Sequence, residues 1–430
     1  VQGSDLNKNK NTDNCKKIGI KIFTKHKIKN ILKATIVVKS TAIKKNNIEL
    51  IAAKKKRLPI YDRAEMLANI VALKKNIIIT GSHGKTTTTS LVAKILVAAN
   101  LDPTIVNGGV INSIKNNAKL GRGDWTVLEA DESDGSFLKL PINYSIVTNI
   151  DKEHLDFYKT YKNLQKAFIK FIDKTPPIGK SIICIDDLGL RKILSLVKTK
   201  NFLTYGFNSK SNYQIRNVRY NFSNTIFDLE IKNYESKKKL IANINLNLIG
   251  KHNVLNATSA IAICLNLGVK ANIIKKALKN FSGVQRRLTK IFVSNKKEFY
   301  DDYAHHPTEI KSVLSGLKQV YKKRKLIAIF QPHRYSRIKN LKKEFSSCFT
   351  DADVVLLCPV YAAGEKKDIY YDSNKFCKLI SKFSNVQVIK INNEIEIKKY
   401  LLKNLINDEI IIGMGAGSIS KWMNDLKKKI

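Results

Sequence analysis

The chain has 430 residues and a formal net charge of +42 at pH 7, with 43% hydrophobic and 26% charged residues. This length predicts two or three domains, and the composition is that of a globular protein with ample apolar residues for a core. No apolar run approaches the roughly 20 residues that a membrane-spanning helix needs, so we expect no membrane insertion. The basic residues are mostly lysines spread along the whole chain, which favours compositional drift over a specific nucleic-acid site.

Residues 1–74 predict a small α/β unit, because short β-branched runs alternate with stretches of helical spacing. Residues 1–5 have the pattern of a strand end. The remaining expected elements are strands at 18–23 and 34–38 and helices at 47–56 and 64–73.

The most informative pattern of the chain is IIITGSHGKTTTT at residues 77–89, where a β-branched run meets a glycine turn, a lysine and hydroxyls ahead of a helix-like run. Glycines let backbone N–H groups converge on phosphate oxygens, Lys85 can reach the β/γ-phosphates, and the Thr86 hydroxyl can ligate Mg²⁺. Only two residues separate the two glycines, where the usual loop has four. A chance Gly-Lys-Thr is the alternative, but the flanking strand and helix argue against it. The pattern predicts nucleotide binding by Gly81, Ser82, His83, Gly84, Lys85, Thr86 and Thr87.

Polar residues follow two further predicted strands, at 125–130 and 144–150. Glu129 opens EADESD, whose four carboxylates in six residues would repel one another without a cation, and Mg²⁺ prefers such oxygen ligands. A solvated acidic loop is the alternative. His154 follows the second strand and could bind a second metal or steer a phosphate, although a lone histidine is more often a surface or core residue.

The second half of the central stretch, residues 75–284, predicts an antiparallel addition from 201 to 247 and helices at 257–265 and 273–278. His252 and Asn253, at the start of the first of these helices, could recognise adenine by stacking and by an amide. Helix capping is the alternative. Arg287 could reach the γ-phosphate from a domain edge, although a plain surface arginine pair has the same pattern.

Residues 285–430 repeat the α/β pattern, with strands expected at 325–330, 354–357 and 409–413. Two dense polar clusters, DDYAHHPTE at 301–309 and QPHRYSR at 331–337, each follow a strand-like run. Arg334 and Arg337, three residues apart, could clamp a carboxylate or phosphate. The paired histidines with aspartate suggest a metal site, but no third ligand stands out at a suitable spacing, so we favour substrate recognition.

Taken together, these motifs resemble the Mur ligase family, because they occur in the family's order across the whole chain. The strings DESD, DYAHHP and HRYSR narrow the resemblance to the alanine-adding branch. The resemblance implies an α/β protein of three domains. They are a truncated Rossmann-like N-terminal domain (1–74), a central P-loop ATPase-type domain (75–284) and a C-terminal Rossmann-like domain (285–430).

The resemblance also implies an activity, the ATP-dependent ligation of L-alanine to the lactyl carboxylate of UDP-N-acetylmuramate through an acyl phosphate, in peptidoglycan precursor synthesis. ATP and Mg²⁺ are the implied cofactors. Lys85, His154, Arg287 and His305 are implied as catalytic residues. Implied roles are γ-phosphate binding by Lys85, metal binding by Thr86, Glu129 and His154, adenine binding by His252 and Asn253, phosphate binding by Arg287, and substrate binding by Tyr303, His305, Arg334 and Arg337.

Six scattered cysteines without metal-ligand spacing are typical of a reducing compartment, so we expect a cytoplasmic enzyme, a monomer or weak homodimer without a specific nucleic-acid partner. The family's first strand and its Gly-rich uridine-diphosphate loop are expected ahead of residues 1–5 and are absent from this sequence. Three alternatives stay open: a ligase that adds a murein tripeptide to the same sugar nucleotide, an ATP-binding remnant without sugar-nucleotide binding, and a basic nucleic-acid-binding NTPase. No interleaving of aromatic and basic residues supports the last.

Overall fold

The computed structural model describes residues 1–232 and 238–427, which form two compact units. The first unit comprises Val1–Lys75 together with Gly135–Pro141, and the second holds the rest of the described chain. The helical segment at 135–141 therefore packs with the N-terminal residues, although it is distant from them in sequence. In the described part of the chain, no helix combines the length and apolar character needed to cross a bilayer.

The first unit contains two small parallel sheets, β1–β2 and β3–β4. The predicted strand end at residues 1–5 and both predicted helices are confirmed, whereas the strand expected at 34–38 lies slightly later in the chain. Asn47 caps the second helix, because its side chain accepts from the N–H groups of the first turn. The elements are β1 Gln2–Ser4, α1 Lys10–Lys17, β2 Lys21–Phe23, β3 Val37–Lys39, α2 Ile48–Lys55, β4 Ile60–Asp62 and α3 Arg63–Val71, with short 3-10 turns at Ile28–Ile31 and Ser136–Lys139.

The second unit begins with a ten-stranded sheet and the helices around it. The strands are β5 Lys75–Thr80, β6 Thr104–Ile111, β7 Asn116–Lys119, β8 Trp125–Glu129, β9 Tyr144–Val147, β10 Lys180–Cys184, β11 Phe202–Gly206, β12 Tyr213–Tyr220, β13 Thr225–Lys232 and β14 Lys238–Leu246. The helices are α4 Lys85–Ala98, α5 Leu155–Tyr158, α6 Tyr161–Asp173, α7 Leu188–Ile193, α8 Lys251–Asn266 and α9 Ala271–Lys279, with a 3-10 turn at Leu194–Leu196.

We call this ten-stranded layer the central sheet; its order is β14-β13-β12-β11-β10-β9-β5-β8-β6-β7. Strands β5, β9, β10, β11 and β12 pair in parallel. Antiparallel pairs in the described part of this sheet are β12 with β13, β13 with β14 and β6 with β7. The antiparallel addition predicted from residue 201 therefore starts later than expected, at the β12–β13 pair.

Burial on both faces of the central sheet explains why its middle strand, β5, is rich in β-branched residues. Ile77, Ile78 and Ile79 of β5 are fully buried, as expected for a strand with both faces covered. Helices α4 and α8 pack against each other beside these strands. Polar residues accumulate where β5, β8 and β9 end, so the carboxyl edge of this sheet is where a ligand site is expected.

The second sheet of this unit, the C-terminal sheet, has the order β15-β16-β20-β17-β18-β19 and is parallel except for the β15–β16 hairpin. All three strands predicted in this region are confirmed, one with its predicted bounds and two with shifts of one residue. The elements are β15 Thr289–Ser294, β16 Lys297–Asp302, α10 Pro307–Val320, β17 Leu326–Phe330, α11 Tyr335–Asn340, α12 Lys342–Ser346, β18 Val354–Leu357, α13 Ser373–Ser384, β19 Gln387–Lys390, α14 Glu394–Asn404, β20 Ile410–Met414 and α15 Ile419–Leu426.

Candidate functional site

The phosphate-loop sequence forms a tight turn between β5 and α4. Gly81 and Gly84 have φ angles of 131° and 83°, in the region that glycine adopts without strain. A Cβ on Gly84 would lie 2.5 Å from Oδ1 of Asn256, and one on Gly81 would lie 2.1 Å from Oγ1 of Thr148. The two glycines are therefore required both by backbone conformation and by the close approach of neighbouring side chains.

Lys85 lies folded over this loop. Its Nζ donates to the carbonyl oxygens of Gly81 at 2.6 Å and Ser82 at 3.1 Å, and it lies 2.9 Å from Oε2 of Glu132. Burial alone would lower the pKa of Lys85, but Glu132 and Glu129 outweigh it and raise the pKa. The ammonium group is thus held in its charged form at the loop, where a phosphate would need it.

Glu132 is the buried counter-charge of Lys85. Its side chain is 0% exposed, and although burial raises its pKa, Lys85 and His154 outweigh that effect and lower it to about 2. Glu132 belongs to the acidic run singled out in the sequence, but no role was predicted for it. A spacing argument does not reveal which of four neighbouring carboxylates turns inward.

The residues predicted to bind metal fall into two groups. In the first group, Thr86 Oγ1 donates to Oε1 of Glu129 at 3.0 Å, and Oε2 of Glu129 accepts from the backbone N–H of Gly108. His154 Nε2 lies 3.6 Å from Glu132 and 3.9 Å from Glu153, and these three side chains offer ligand atoms within 4.8 Å of one another. Among the residues described, Glu132 and Glu153 thus join His154 as candidate ligands that sequence reasoning missed.

A cavity of about 230 Å³ lies beside the loop, between the central and C-terminal sheets. His252 lines it, and burial followed by the charge of Arg287 lowers the pKa of this histidine to about 4. Asn253 also lines it, but its Nδ2 donates to the Ile249 carbonyl at 2.8 Å and its Oδ1 accepts from Asn256 at 3.4 Å. His252 is therefore a neutral ring at the cavity, while the Asn253 amide is engaged with the start of its own helix. Adenine binding stays a prediction.

The two arginines at the start of the C-terminal region contact one tyrosine. The guanidinium groups of Arg286 and Arg287 lie 4.8 and 5.3 Å from the ring centroid of Tyr303. Arg286 also donates to the Gly415 carbonyl at 2.6 Å, which fixes it to the turn after β20. The Arg287 guanidinium instead faces a carboxylate, because its Nη1 lies 3.8 Å from Glu309. It is the better placed of the two to meet a ligand in the cavity, whose lining includes it.

The remaining predicted substrate residues gather at the polar edge of the C-terminal sheet. The rings of His305 and His333 lie 5.7 Å apart, and His333 stacks on Tyr361 at the same distance. Arg337 donates from Nη1 to Nδ1 of His333 at 3.0 Å. Burial and the charge of Arg337 lower the pKa of His333 to about 4. Both rings are thus kept neutral beside a cation, since burial likewise lowers the pKa of His305 to about 4.

Arg334 and Arg337 do not share one environment, although their spacing suggested that they would act together. Arg334 is exposed, with a φ of 69° and a backbone N–H that donates to the Tyr361 carbonyl at 2.9 Å. Arg337 is half-buried against His333. Of the two, Arg337 is the one that the structure places among the other candidate residues.

One contact group joins the two sheets. His83 of the phosphate loop lies 3.0 Å from Asp151, which also accepts from Thr308 Oγ1 at 2.6 Å. The rings of His83 and His306 are 4.8 Å apart. Asp151, His306 and Thr308 had no predicted role, although all three lie within polar clusters that the sequence singled out.

A larger and more open groove of about 1040 Å³ lies elsewhere in the second unit. Its lining includes Phe222, Glu298, Tyr321 and Arg324 but none of the predicted site residues. The smaller cavity is therefore the candidate active site, because the phosphate loop, His252 and Arg287 all border it.

The fold and the site together define a nucleotide-dependent enzyme with two α/β sheets that face one cavity. Comparison with known families gives its class. The Mur ligase middle domain matches residues 79–264, the Mur ligase glutamate ligase domain matches residues 286–417, and the Mur ligase family catalytic domain matches residues 1–75. The chain belongs to the Mur ligase family, and the predicted three-domain α/β fold is confirmed.

Individual relatives point to one branch of that family. The UDP-N-acetylmuramate–L-alanine ligase of Pelagibacter ubique is 56% identical over 431 residues, covering 100% of this chain and 93% of the relative. The enzyme of the same name from Brucella anthropi is 41% identical over 430 residues, covering 100% and 92%. The crystal structure of the UDP-N-acetylmuramate-alanine ligase of Thermotoga maritima superposes with a TM-score of 0.81 at 27% identity, covering 100% of this chain and 93% of that one.

Proposed function

We propose that this Mur ligase is an ATP-dependent amide-forming enzyme, and specifically that it joins L-alanine to the lactyl carboxylate of UDP-N-acetylmuramate. The full-length relatives carry that name. The structural observation that carries the proposal is the contact of one carboxylate, that of Glu309, with both His83 of the phosphate loop and His305 at the polar edge of the C-terminal sheet. A simple NTPase has no need for a second polar cluster at its phosphate loop, whereas a ligase has two substrates to join.

The proposed reaction has two steps. A carboxylate oxygen of the sugar nucleotide attacks the γ-phosphorus of ATP, and the bond to the β-phosphate oxygen breaks to release ADP. The amine of L-alanine then attacks the acyl carbon, loses a proton, and expels inorganic phosphate as the amide forms. Lys85 and Arg287 supply positive charge for the transferring phosphoryl group.

His305 is suited to accept the amine proton. Its Nδ1 donates to the Tyr303 carbonyl at 2.9 Å, so Nδ1 carries the ring hydrogen. Burial lowers the pKa of His305 to about 4, and the ring is therefore neutral near pH 7 with a lone pair on Nε2. A neutral imidazole with a fixed tautomer has a lone pair for a proton, but a pKa of about 4 makes it a weak base. It would therefore act on an ammonium proton that has become acidic in the tetrahedral adduct.

Mg²⁺ fits the oxygen-rich donors at the carboxyl edge of the central sheet. The Glu129 carboxylate and Thr86 hydroxyl already contact each other, and Glu132, Glu153 and His154 form a second group. When bound, the ion would offset phosphate charge. We propose Thr86 and Glu129 as holders of one ion and His154 with its two carboxylate neighbours as holders of another.

Turnover with defined substrates tests the function. ADP and phosphate should form only when UDP-N-acetylmuramate and L-alanine are both present. Faster turnover with a murein tripeptide than with L-alanine would favour the ligase that adds a tripeptide to the same sugar nucleotide. Hydrolysis stimulated by DNA or RNA would favour the basic nucleic-acid-binding NTPase. ATP binding without any turnover would favour the remnant.

The organisation of the enzyme is a separate proposal. We propose domain boundaries at residues 74/75 and 284/285, a cytoplasmic location, and a monomer or weak homodimer. Light scattering over a range of protein concentrations tests the last point, since a weak homodimer gives a molar mass that rises with concentration.

A further inference from the structure

Glu309 is the third residue of α10, and one of its two carboxylate oxygens has a local structural task. Oε2 accepts from the backbone N–H of His305 at 3.0 Å and of His306 at 3.3 Å. This contact completes a capping box with His306 at the helix start. On its own it explains a glutamate at this position and implies nothing about catalysis.

The other oxygen points away from the helix. Oε1 lies 3.4 Å from Nδ1 of His83 and 3.8 Å from Nη1 of Arg287. His83 lies between two carboxylates, because its Nε2 is 3.0 Å from Asp151. The Glu309 side chain is 14% exposed and that of His83 is 12% exposed, so water screens these charges weakly.

The contacts of the two oxygens together reach both sheets. His83 belongs to the phosphate loop of the central sheet, Arg287 borders the cavity, and His305 lies at the polar edge of the C-terminal sheet with its Nδ1 3.4 Å from Oε2 of Glu309. One carboxylate thus contacts a residue from each group on which the proposed reaction depends.

We propose that Glu309 is a positioning residue. Its carboxylate holds His83 of the phosphate loop and Arg287 in a fixed position relative to His305, so that the residues for phosphoryl transfer and those for amine attack face the same reacting carboxyl group. This inference rests on the proposed function. Its physical basis is that ion pairs in a weakly screened site fix the relative position of the groups they join, and that misplacement of reacting groups by about 1 Å can cost about 100-fold in rate.

The substitution Glu309→Gln separates the two tasks. The glutamine amide oxygen can still accept from the N–H groups of the helix start, but it carries no charge for His83 and Arg287. We expect thermal stability close to that of the parent protein and a fall in kcat of about 10- to 100-fold. The KM for ATP should change less, because the loop and Lys85 keep their own contacts with the nucleotide.

Glu65→Gln is the matched control. Glu65 is the capping-box glutamate at the same position of α3, and its carboxylate contacts Lys139 rather than the loop. We expect its kcat to equal that of the parent. If the kcat of Glu309→Gln is also within twofold of the parent, Glu309 is a capping residue only and the inference is wrong.

A double-substitution cycle with His83→Gln tests the route of the effect. If Glu309 acts through His83, the double variant should lose no more kcat than the poorer single variant, whereas losses that multiply would show independent action and overturn the inference. Absence of turnover in the parent protein itself counts against the proposed function. A parent that turns over while Glu309→Gln is unimpaired counts against the positioning role alone.

Discussion

The polar edges of the two sheets form the candidate site by different means. At the central sheet, a continuous loop of seven residues, 81–87, follows one buried strand, and its lysine is fixed by the backbone of the same loop. At the C-terminal sheet, His305, His333 and Tyr361 come from three separate segments and meet through ring contacts. A local motif encodes the first edge, whereas tertiary packing assembles the second.

The electrostatics of the two edges differ in the same way. Carboxylates hold Lys85 charged and, against the effect of burial, raise the pKa of His83 to about 10. At the other edge, burial and a neighbouring arginine lower the pKa of His305 and His333 to about 4. Phosphate binding needs fixed cations, and acceptance of a proton from an amine needs a neutral base, so each edge has the charge state that its proposed half of the reaction requires.

The largest expected effect is on the cationic edge. Lys85→Ala should lower kcat by about 10²–10³-fold, because a donor aimed at the transferring phosphoryl group is lost. Coupled detection of ADP measures it, with Lys94→Ala on the same helix as the control. An unimpaired Lys85→Ala protein would show that the loop is not the phosphate site.

The next largest effect is expected at the polar edge of the C-terminal sheet. Arg337→Lys keeps the charge but loses the planar group that donates to His333, and we expect the KM for L-alanine to rise about 10-fold. Lys339→Ala, an exposed position on the same helix, should leave this KM unchanged. A change in the KM for ATP alone would assign Arg337 to the nucleotide instead.

A smaller effect concerns the backbone of the local motif. Gly84 and Gly268 have nearly the same φ, 83° and 82°, but only at Gly84 would an added Cβ meet another residue, Asn256. Alanine at either position should cost about 1–2 kcal/mol of unfolding free energy from strain. Only Gly84→Ala should also weaken ATP binding, as measured by calorimetry. Equal ATP affinity in the two variants would contradict the inference that the close contact between Gly84 and Asn256 shapes the phosphate loop.

The smallest effect is the pH dependence of stability. Between pH 4 and 6.5 the unfolded chain binds a proton at His333 that the folded protein does not, so stability rises with pH in this window and is lost as pH falls. His83 acts in the opposite sense, since the folded protein keeps its proton up to about pH 10 and stability falls as pH rises above 6.5. Melting temperatures across pH should show a shallower acid limb in His333→Asn and a shallower alkaline limb in His83→Gln. If the parent protein and both variants show the same dependence of melting temperature on pH, the two histidines do not affect stability in opposite senses.

The difference between the edges also explains what could be predicted from the sequence. The strand, loop and helix around Lys85 follow from adjacent residues, and the structure confirms them. Thr86 and Glu129 were both predicted to bind metal, and their side chains lie in contact, Thr86 after β5 and Glu129 at the end of β8. Each of these inferences needs only local pattern and the rule that strand ends meet.

The missed residues depend on distances that no local pattern encodes. Glu132 was visible as one of four carboxylates, but only the fold shows that it alone of these lies fully buried against Lys85. Glu309 lies 226 positions after His83 in the chain, and the ion pair between them follows from how the two sheets pack. The later start of the antiparallel strands is a similar case, since β11, where the antiparallel addition was expected to begin, pairs in parallel with β10 and β12.

The segment Gly135–Pro141 leaves the central sheet directly after the acidic run and packs with the N-terminal unit. There Lys139 pairs with Asp62 at the end of β4 and with Glu65 of α3. The chain therefore passes between the two compact units three times, near residues 75, 134 and 141. An N-terminal piece ending at residue 75 would lack the segment 135–141 that packs with it. The remaining piece would carry that segment without the residues against which it packs. Dissection of this protein into separately folding parts thus calls for a graft of residues 135–141 onto the first piece, not for a single cut.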